Sequence, residues 1–408
     1  MTVFGICYYF ITDRTCAQAY SYAFGIEIGE GGGGMKKIVV PLAVILLFVF
    51  VGAACAGEVN AKAAILIEFE TGRVLFEKNA DERLPIASTT KIMTCLLALE
   101  NASPDQTVTA GKNASGVPGT SIYLSEGETL SMSDMLYGLM LRSGNDCAVA
   151  IAEHISGSVE AFASLMNMRA EQLGANAYFT TPNGLDEGGN GASARGIALI
   201  AREAMKNEDF RDIVKTQKKT IPWKDHQYER VLTNKNRLLK TYDGALGIKT
   251  GFTSKAGRCL VFAAEKDGMT LIGAVLSCPD WFDEAEKLLD YGFENYSMET
   301  IVRAGENVFE EHAYGQTIRL NAGKDICLPL AEGEKIYVQY EKNKIDLPIY
   351  EGEAAGKARV FLNDNCVYET DLVYEKTIEK MSFAAAFEHA VGAWPVSCVL
   401  RGFYSEAS

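Results

Sequence analysis

Short β-type runs bracket a long stretch of helical pattern, and that bracketing limits the possible fold more than any other feature of the sequence. Ala63-Ala64-Ile65-Leu66-Ile67-Glu68, a Thr71-Gly72 turn and Arg73-Val74-Leu75-Phe76-Glu77 read as a β-hairpin. Far downstream, Gly247-Ile248-Lys249-Thr250-Gly251-Phe252-Thr253 reads as an edge strand. Two apolar strands follow, Cys259 to Ala264 and Thr270 to Leu276, around a Lys266-Asp267-Gly268 turn, and then an amphipathic helix from Trp281 to Tyr296. The interval is helical. Ser131-Met132-Ser133-Asp134 caps the apolar segment Met135 to Leu141, and further helices are expected over Ala148 to His154, over 159–173 and over Arg195 to Met205. Residues 106–129 are mixed and turn-rich, and Thr181 to Asp186 is a turn-forming loop. The order implies one sheet assembled from both ends of the region, with a helical cluster inserted.

Three polar stretches interrupt this pattern at structurally loaded places. Ser88-Thr89-Thr90-Lys91 follows Leu84-Pro85-Ile86-Ala87 and runs into the apolar segment Ile92 to Leu99, which places Ser88 in the first turn of a helix. Free N–H groups and the positive dipole end at such a start favour developing negative charge. Lys91 stands one turn later on the same face. A serine hydroxyl needs a base to become a nucleophile, and a lysine serves if burial or a neighbouring cation lowers its pKa. Taken alone, the tetrapeptide is a weak signal and reads first as a polar helix start with a solvated lysine. Ser143-Gly144-Asn145 falls on the short loop between two apolar helices, and Lys249-Thr250-Gly251 falls on the edge strand.

Composition removes other classes of function. At 408 residues the chain is expected to form at least two domains. Its net charge of −14 is spread along the chain, and no basic stripe interleaved with aromatic residues points to nucleic acid. Ten cysteines are scattered without a C-x-x-C pair, and the four histidines (His154, His226, His312, His389) lack ligand spacing, so neither metal nor cofactor is expected. Three of the cysteines fall in segments expected to be absent from the mature protein. The remaining odd number argues against a disulfide framework.

The ends of the chain read differently from its middle. Residues 1–34 close on Gly29-Glu30-Gly31-Gly32-Gly33-Gly34. Purine-rich ribosome-binding sites translate in frame as Gly and Glu runs, so 1–34 is expected to be a non-native upstream extension before Met35; a flexible glycine linker is the alternative. Residues 35–56 carry a charged Lys36-Lys37, an apolar Ile38 to Val51 and small residues to Ala56, the pattern of a secretory signal peptide, and imply an exported protein. From about Glu299, short alternating runs such as Thr317 to Leu320, Ile336 to Tyr340 and Ala358 to Leu362 predict a small all-β domain over 298–374. The tail, 375–408, reads equally as an interfacial amphipathic helix on the outer face of the cytoplasmic membrane or as a frayed end.

Ser-x-x-Lys, Ser-x-Asn and Lys-Thr-Gly, in that order, form the signature of penicillin-recognising serine enzymes. Over roughly residues 60–375 the chain resembles the serine-type D-alanyl-D-alanine carboxypeptidases, the low-molecular-mass penicillin-binding proteins. Ser143-Gly144-Asn145-Asp146, Gly184-Leu185-Asp186 and Asn234-x-Asn-x-Leu-Leu add to the match. The resemblance implies an α/β (α+β) penicillin-binding, β-lactamase-like transpeptidase fold over 57–297, with a central antiparallel sheet and an inserted helical cluster, ahead of the all-β domain. It implies peptidoglycan stem peptides ending in D-Ala-D-Ala as substrate and β-lactams as acylating ligands. Carried onto this sequence, Ser88 is the nucleophile, Lys91 the base and Ser143 the relay to the leaving nitrogen. Asn145 holds the substrate backbone, and Lys249 and Thr250 hold its terminal carboxylate. Gly251 permits close approach, and the N–H groups of Ser88 and Phe252 form the oxyanion hole. Phe252 and Asn183 stand where family members often have histidine, and neither is expected to touch nucleophile or base. Asp186 is read as stabilising its loop. A β-lactamase shares the three motifs, but usually with Ser-Asp-Asn as the second and with a loop glutamate that is not evident here. A catalytically silent wall-binding protein is the alternative from another class.

Overall fold

A computed structural model describes residues 58–185, 188–314, 316–380 and 391. The expected extension, the signal peptide, Asp186 and all of the tail beyond residue 380 except Val391 lie outside the described residues. In chain order the elements are β1 (Ala63–Glu68), β2 (Val74–Lys78), a 3₁₀ turn (Ala87–Thr90), α1 (Lys91–Asn101), β3 (Thr107–Thr109), β4 (Thr129–Ser131), α2 (Met132–Leu141), α3 (Asn145–Ser156) and α4 (Val159–Gln172). They continue with β5 (Ala177–Tyr178), β6 (Gly191–Ala192), α5 (Ala194–Ala204), α6 (Glu208–Lys215), β7 (Lys218–Ile221), β8 (Arg230–Thr233), α7 (Leu238–Thr241), β9 (Ala245–Thr253), β10 (Gly257–Lys266), β11 (Met269–Leu276) and α8 (Trp281–Asn295). Seven strands complete the described chain: β12 (Tyr296–Val302), β13 (Asn307–Ala313), β14 (Gln316–Ala322), β15 (Ile326–Ala331), β16 (Ile336–Lys342), β17 (Ala354–Leu362) and β18 (Asn365–Tyr374).

The main sheet has the order β2-β1-β11-β10-β9, every pair antiparallel, so strands from both ends of the region meet at the β1–β11 seam. β1 is buried along its whole length. Ala63, Ile65 and Ile67 face the helical cluster, whereas Ala64 and Leu66 face α8 with Leu288 and Leu289. A strand covered on both sides cannot alternate apolar with polar, which explains its unbroken apolar run. The cluster on the first face packs α1, α2, α3 and α5 around Met93, Leu97, Leu139, Ile151 and Ile197. Local signals set its helix starts: Ser131, Ser158, Ser193 and Asn207 each accept the N–H three residues on.

β9 lies at the sheet's edge, as its pattern predicts. The β10–β11 turn places Asp267 and Gly268 at φ 49° and 78°, the left-handed pair that a two-residue hairpin needs. Beyond α8, the sheet β13-β14-β18-β17-β16 and the β12–β15 ribbon enclose a separate core that includes Ile318, Leu320, Leu328, Val360 and Leu372. Arg73, from the β1–β2 turn, donates to Pro329 O, pairs with Glu334 and lies 5.3 Å from the Tyr296 ring, tying this all-β part to the main sheet.

Candidate active site

Ser88 sits in the 3₁₀ turn rather than in the α-helix proper, which begins at Lys91. The tighter turn keeps the spacing that matters: Lys91 Nζ lies 3.0 Å from Ser88 Oγ. Lys91 has no solvent exposure, and two carbonyl oxygens complete its shell, Asn145 Oδ1 at 2.8 Å and Asn183 O at 2.6 Å. Burial, then the charge of Lys249, holds the amine well below the ordinary lysine range. Asn183, expected to leave the base untouched, therefore touches it directly. The contact is through its main-chain carbonyl, so the nature of its side chain does not decide it.

The second motif, between α2 and α3, is held by the loop that precedes β4. Ser143 takes φ 64°, and its carbonyl accepts from Thr120 Oγ1 at 2.7 Å. Asn145 opens α3 rather than lying in the connector, with its N–H on Thr120 O at 2.7 Å and its Nδ2 on Pro118 O at 2.6 Å. Asp146 is buried and accepts from Ser121 Oγ at 2.5 Å and from the N–H groups of Ile122 and Leu124 at 3.1 Å and 3.0 Å. The loop is thereby pinned against the motif. The Ser143 hydroxyl is buried and has no hydrogen-bond partner among the described residues.

The third motif reaches the first through a missing side chain. A Cβ at Gly251 would lie 2.9 Å from Ile86 O, 3.0 Å from Thr89 N and 3.1 Å from Ser88 N, so only glycine lets β9 run this close to the nucleophile turn. Lys249 is 2% exposed and donates to Thr250 O at 2.8 Å. Burial, then Lys235, pushes its pKa down to about 7. Lys235 is itself lowered by desolvation and by Arg142, so cations crowd this side of the cleft. Phe252, the next residue on β9, is exposed.

The loop from Thr181, read from sequence as turn-forming and as part of the family match, also holds the turn that carries Ser88. Thr94 Oγ1 donates to Pro182 O at 2.6 Å, and Asn190 Nδ2 donates to Thr90 Oγ1 at 3.0 Å. A Cβ at Gly184, where φ is 80°, would fall 2.0 Å from Ala87 O. Pro182, Asn183, Asn190, Thr120, Pro118, Asp146 and Lys235 are thus site-building residues that sequence reasoning did not assign. Pro182, Asn183 and Pro118 act through main-chain carbonyls, which leave no side-chain signature. Among the described residues, no group of three or more His, Cys, Asp and Glu is arranged to hold a metal ion.

A serine hydroxyl 3.0 Å from a buried amine of lowered pKa, in a fold of this topology, is the arrangement that a serine hydrolase with a lysine base requires. Comparison with known proteins places it more narrowly. The sequence model of the D-alanyl-D-alanine carboxypeptidase family matches residues 51–280, and that of the penicillin-binding protein 5 C-terminal domain matches 296–380. The chain is 32% identical to D-alanyl-D-alanine carboxypeptidase DacF of Bacillus subtilis, covering 88% of this chain and 99% of that protein. It is 31% identical to DacC of Escherichia coli, covering 83% and 90%. The crystal structure of penicillin binding protein 5 from Haemophilus influenzae superposes with a TM-score of 0.67 at 29% identity, covering 79% of this chain and 98% of that one. The chain belongs to the D-alanyl-D-alanine carboxypeptidase family, and is a serine-type hydrolase of that class.

Proposed function

We propose that this protein is an exported peptidoglycan carboxypeptidase that removes the terminal D-alanine of stem peptides through an acyl-enzyme on Ser88, and that β-lactams acylate the same serine. The observation that carries the reading is the environment of Lys91 Nζ. A neutral amine has two N–H bonds and one lone pair. When neutral, Lys91 can give its two N–H bonds to Asn145 Oδ1 and Asn183 O and turn its lone pair to the proton of Ser88, 3.0 Å away. Ser88 Oγ then attacks the carbonyl between the two D-alanines while its proton passes to Lys91. The C–N bond breaks as the proton moves on through the Ser143 hydroxyl to the leaving nitrogen; that hydroxyl has no partner among the described residues, so it must turn to Lys91 when substrate is bound. Water hydrolyses the ester by the reverse route.

Binding uses the remaining groups. Protonated Lys249 and Thr250 hold the terminal carboxylate, and the second N–H of Asn145 Nδ2 holds the peptide backbone. The N–H groups of Ser88 and Phe252 receive the oxyanion, each such donor contributing roughly 3 kcal/mol to the barrier reduction. Residues 35–56 direct export, 57–297 hold the site, and 298–374 form a spacer or interaction module. Among the described residues no helix is long and apolar enough to cross a membrane.

The β-lactamase alternative is disfavoured by Gly144. A Cβ there would lie 2.7 Å from Asp146 Oδ1 and 2.9 Å from Cys147 Sγ, so the Ser-Asp-Asn form of the motif does not fit this packing. The test is D-alanine release from diacetyl-Lys-D-Ala-D-Ala by the purified protein, with penicillin turnover measured alongside. Steady release with slow penicillin turnover is expected. Rapid penicillin hydrolysis points to the β-lactamase, and no release points to a silent wall-binding protein.

A further inference from the structure

Beside the second motif, the tip between β7 and β8 folds three aromatic rings together. His226 N–H donates to Trp223 O at 3.2 Å, closing a turn with Asp225 at φ 62°. That turn brings the Trp223 and His226 rings to 4.2 Å, and Tyr228 lies 5.5 Å from Trp223 and 5.1 Å from His226. The tip does not bury the rings it gathers: Tyr228 is 62% exposed. A fourth ring stands on the neighbouring loop. Tyr123 has φ 64° and is 71% exposed, turned outward between Ile122 and Leu124, both buried with their N–H groups on Asp146.

The two segments are locked to each other and to the site. Arg230, 4% exposed, pairs with Glu128, 1% exposed, stacks 4.9 Å from the Trp223 ring and donates to Tyr123 O at 3.1 Å. Asp146, which holds the Tyr123 loop, is adjacent to Asn145 in sequence. A buried ion pair is a costly way to hold an exposed surface loop, and exposed grouped aromatics are uncommon unless something covers them.

We propose that Tyr123, His226 and Tyr228, carried on Trp223 and Arg230, form a saccharide subsite that stacks on a hexopyranose ring of the glycan bearing the stem peptide. The inference rests on the carboxypeptidase reading above for its substrate. Pro118 and Thr120, whose carbonyls hold Asn145, lie on the same loop as Tyr123, so a peptide whose backbone rests on Asn145 runs beside that loop. An extended stem of five residues reaches about 17 Å, enough to pass from the cleft to the next loop. A pyranose has an apolar C–H face and a polar rim. Tyrosine and imidazole rings offer the same combination, an apolar face with a hydrogen-bonding tip.

The test compares D-alanine release from a free stem pentapeptide and from the same pentapeptide on its N-acetylated disaccharide. Tyr228→Ala and His226→Ala are expected to raise KM about tenfold for the disaccharide substrate only, leaving kcat and the free peptide unchanged, while Tyr228→Phe, which keeps the stacking face and loses only the tip, raises it less than Tyr228→Ala does. An equal KM rise on both substrates means that the rings hold peptide rather than sugar and overturns the proposal, as does no change on either. Tryptophan fluorescence titration with the peptide-free disaccharide gives a readout independent of turnover. Saturable binding weakened by Tyr228→Ala supports the subsite, and no saturable response overturns it. If the unsubstituted enzyme releases D-alanine from neither substrate, the carboxypeptidase reading fails, and the titration alone decides the subsite. Thermal unfolding of each variant separates loss of the rings from loss of the fold.

Discussion

The low pKa of Lys249 makes a specific demand on the pH dependence of the reaction. In the free enzyme this amine titrates at about 7 because it is buried and faces Lys235. A carboxylate docks well only on the protonated form. Above that pH the binding-competent fraction falls about tenfold per pH unit, and kcat/KM should fall with it. Once substrate is bound, the picture changes. A carboxylate about 4 Å from the ammonium, at an effective dielectric near 20, contributes about 4 kcal/mol, or roughly three pKa units. The bound complex therefore keeps its proton well beyond pH 8. The expected result is a descending limb in kcat/KM beginning near pH 7, carried by KM, with kcat flat over the same range. Steady-state D-alanine release across pH 6 to about 9 at constant ionic strength measures both. A kcat/KM that stays level through this range, or a kcat that falls together with it, would refute the assignment of Lys249 to the carboxylate.

Other consequences follow from the same geometry. Ser88→Ala should abolish D-alanine release and covalent penicillin labelling, and Lys91→Ala should cost nearly as much because base and nucleophile act as a unit; Lys91→Ala near wild type in a release assay would disprove its role. Gly184→Ala should lower acylation rate and thermal stability together, since its Cβ would fall on Ala87 O; an unchanged labelling rate would contradict the packing. Glu128→Gln strips the charge from the buried partner of Arg230 and should destabilise by about 3–5 kcal/mol in denaturant unfolding, whereas an exposed pair would cost under about 1 kcal/mol. Lys249 binds fewer protons folded than unfolded between about 7 and 10.5, so it makes stability rise with pH across that window, by up to about 1.4 kcal/mol per pH unit. Lys249→Met should remove that slope, which unfolding midpoints at several pH values will show.

Features with a local cause were readable in the sequence. The Ser88–Lys91 spacing is a property of one turn, the Ser131 cap is a property of four residues, and β9 declares itself an edge strand by its polar Lys249-Thr250 within an apolar frame. What escaped was assembled over distance by the main chain. Asn183 O reaches Lys91 across 92 residues of sequence, and no residue type announces a carbonyl. The β7–β8 hairpin went unread because Lys218-Lys219-Thr220-Ile221 buries only Ile221 fully, so its alternation is faint. α6 escaped for a similar reason. It is short and carries three buried residues, Phe210, Ile213 and Val214, although Asn207 marks its start. Gly144 and Gly251 were legible as motif letters. Why they must be glycine became visible only with Asp146 and the Ser88 turn in place.

Mapping the penicillin adduct by mass spectrometry decides which side chain is the nucleophile. The intact protein is treated with benzylpenicillin, digested and sequenced. A single penicilloyl group is expected on the peptide spanning Ser88, absent from Ser88→Ala and nearly absent from Lys91→Ala. An adduct on Ser143 or elsewhere, or labelling that persists without Ser88, would contradict it.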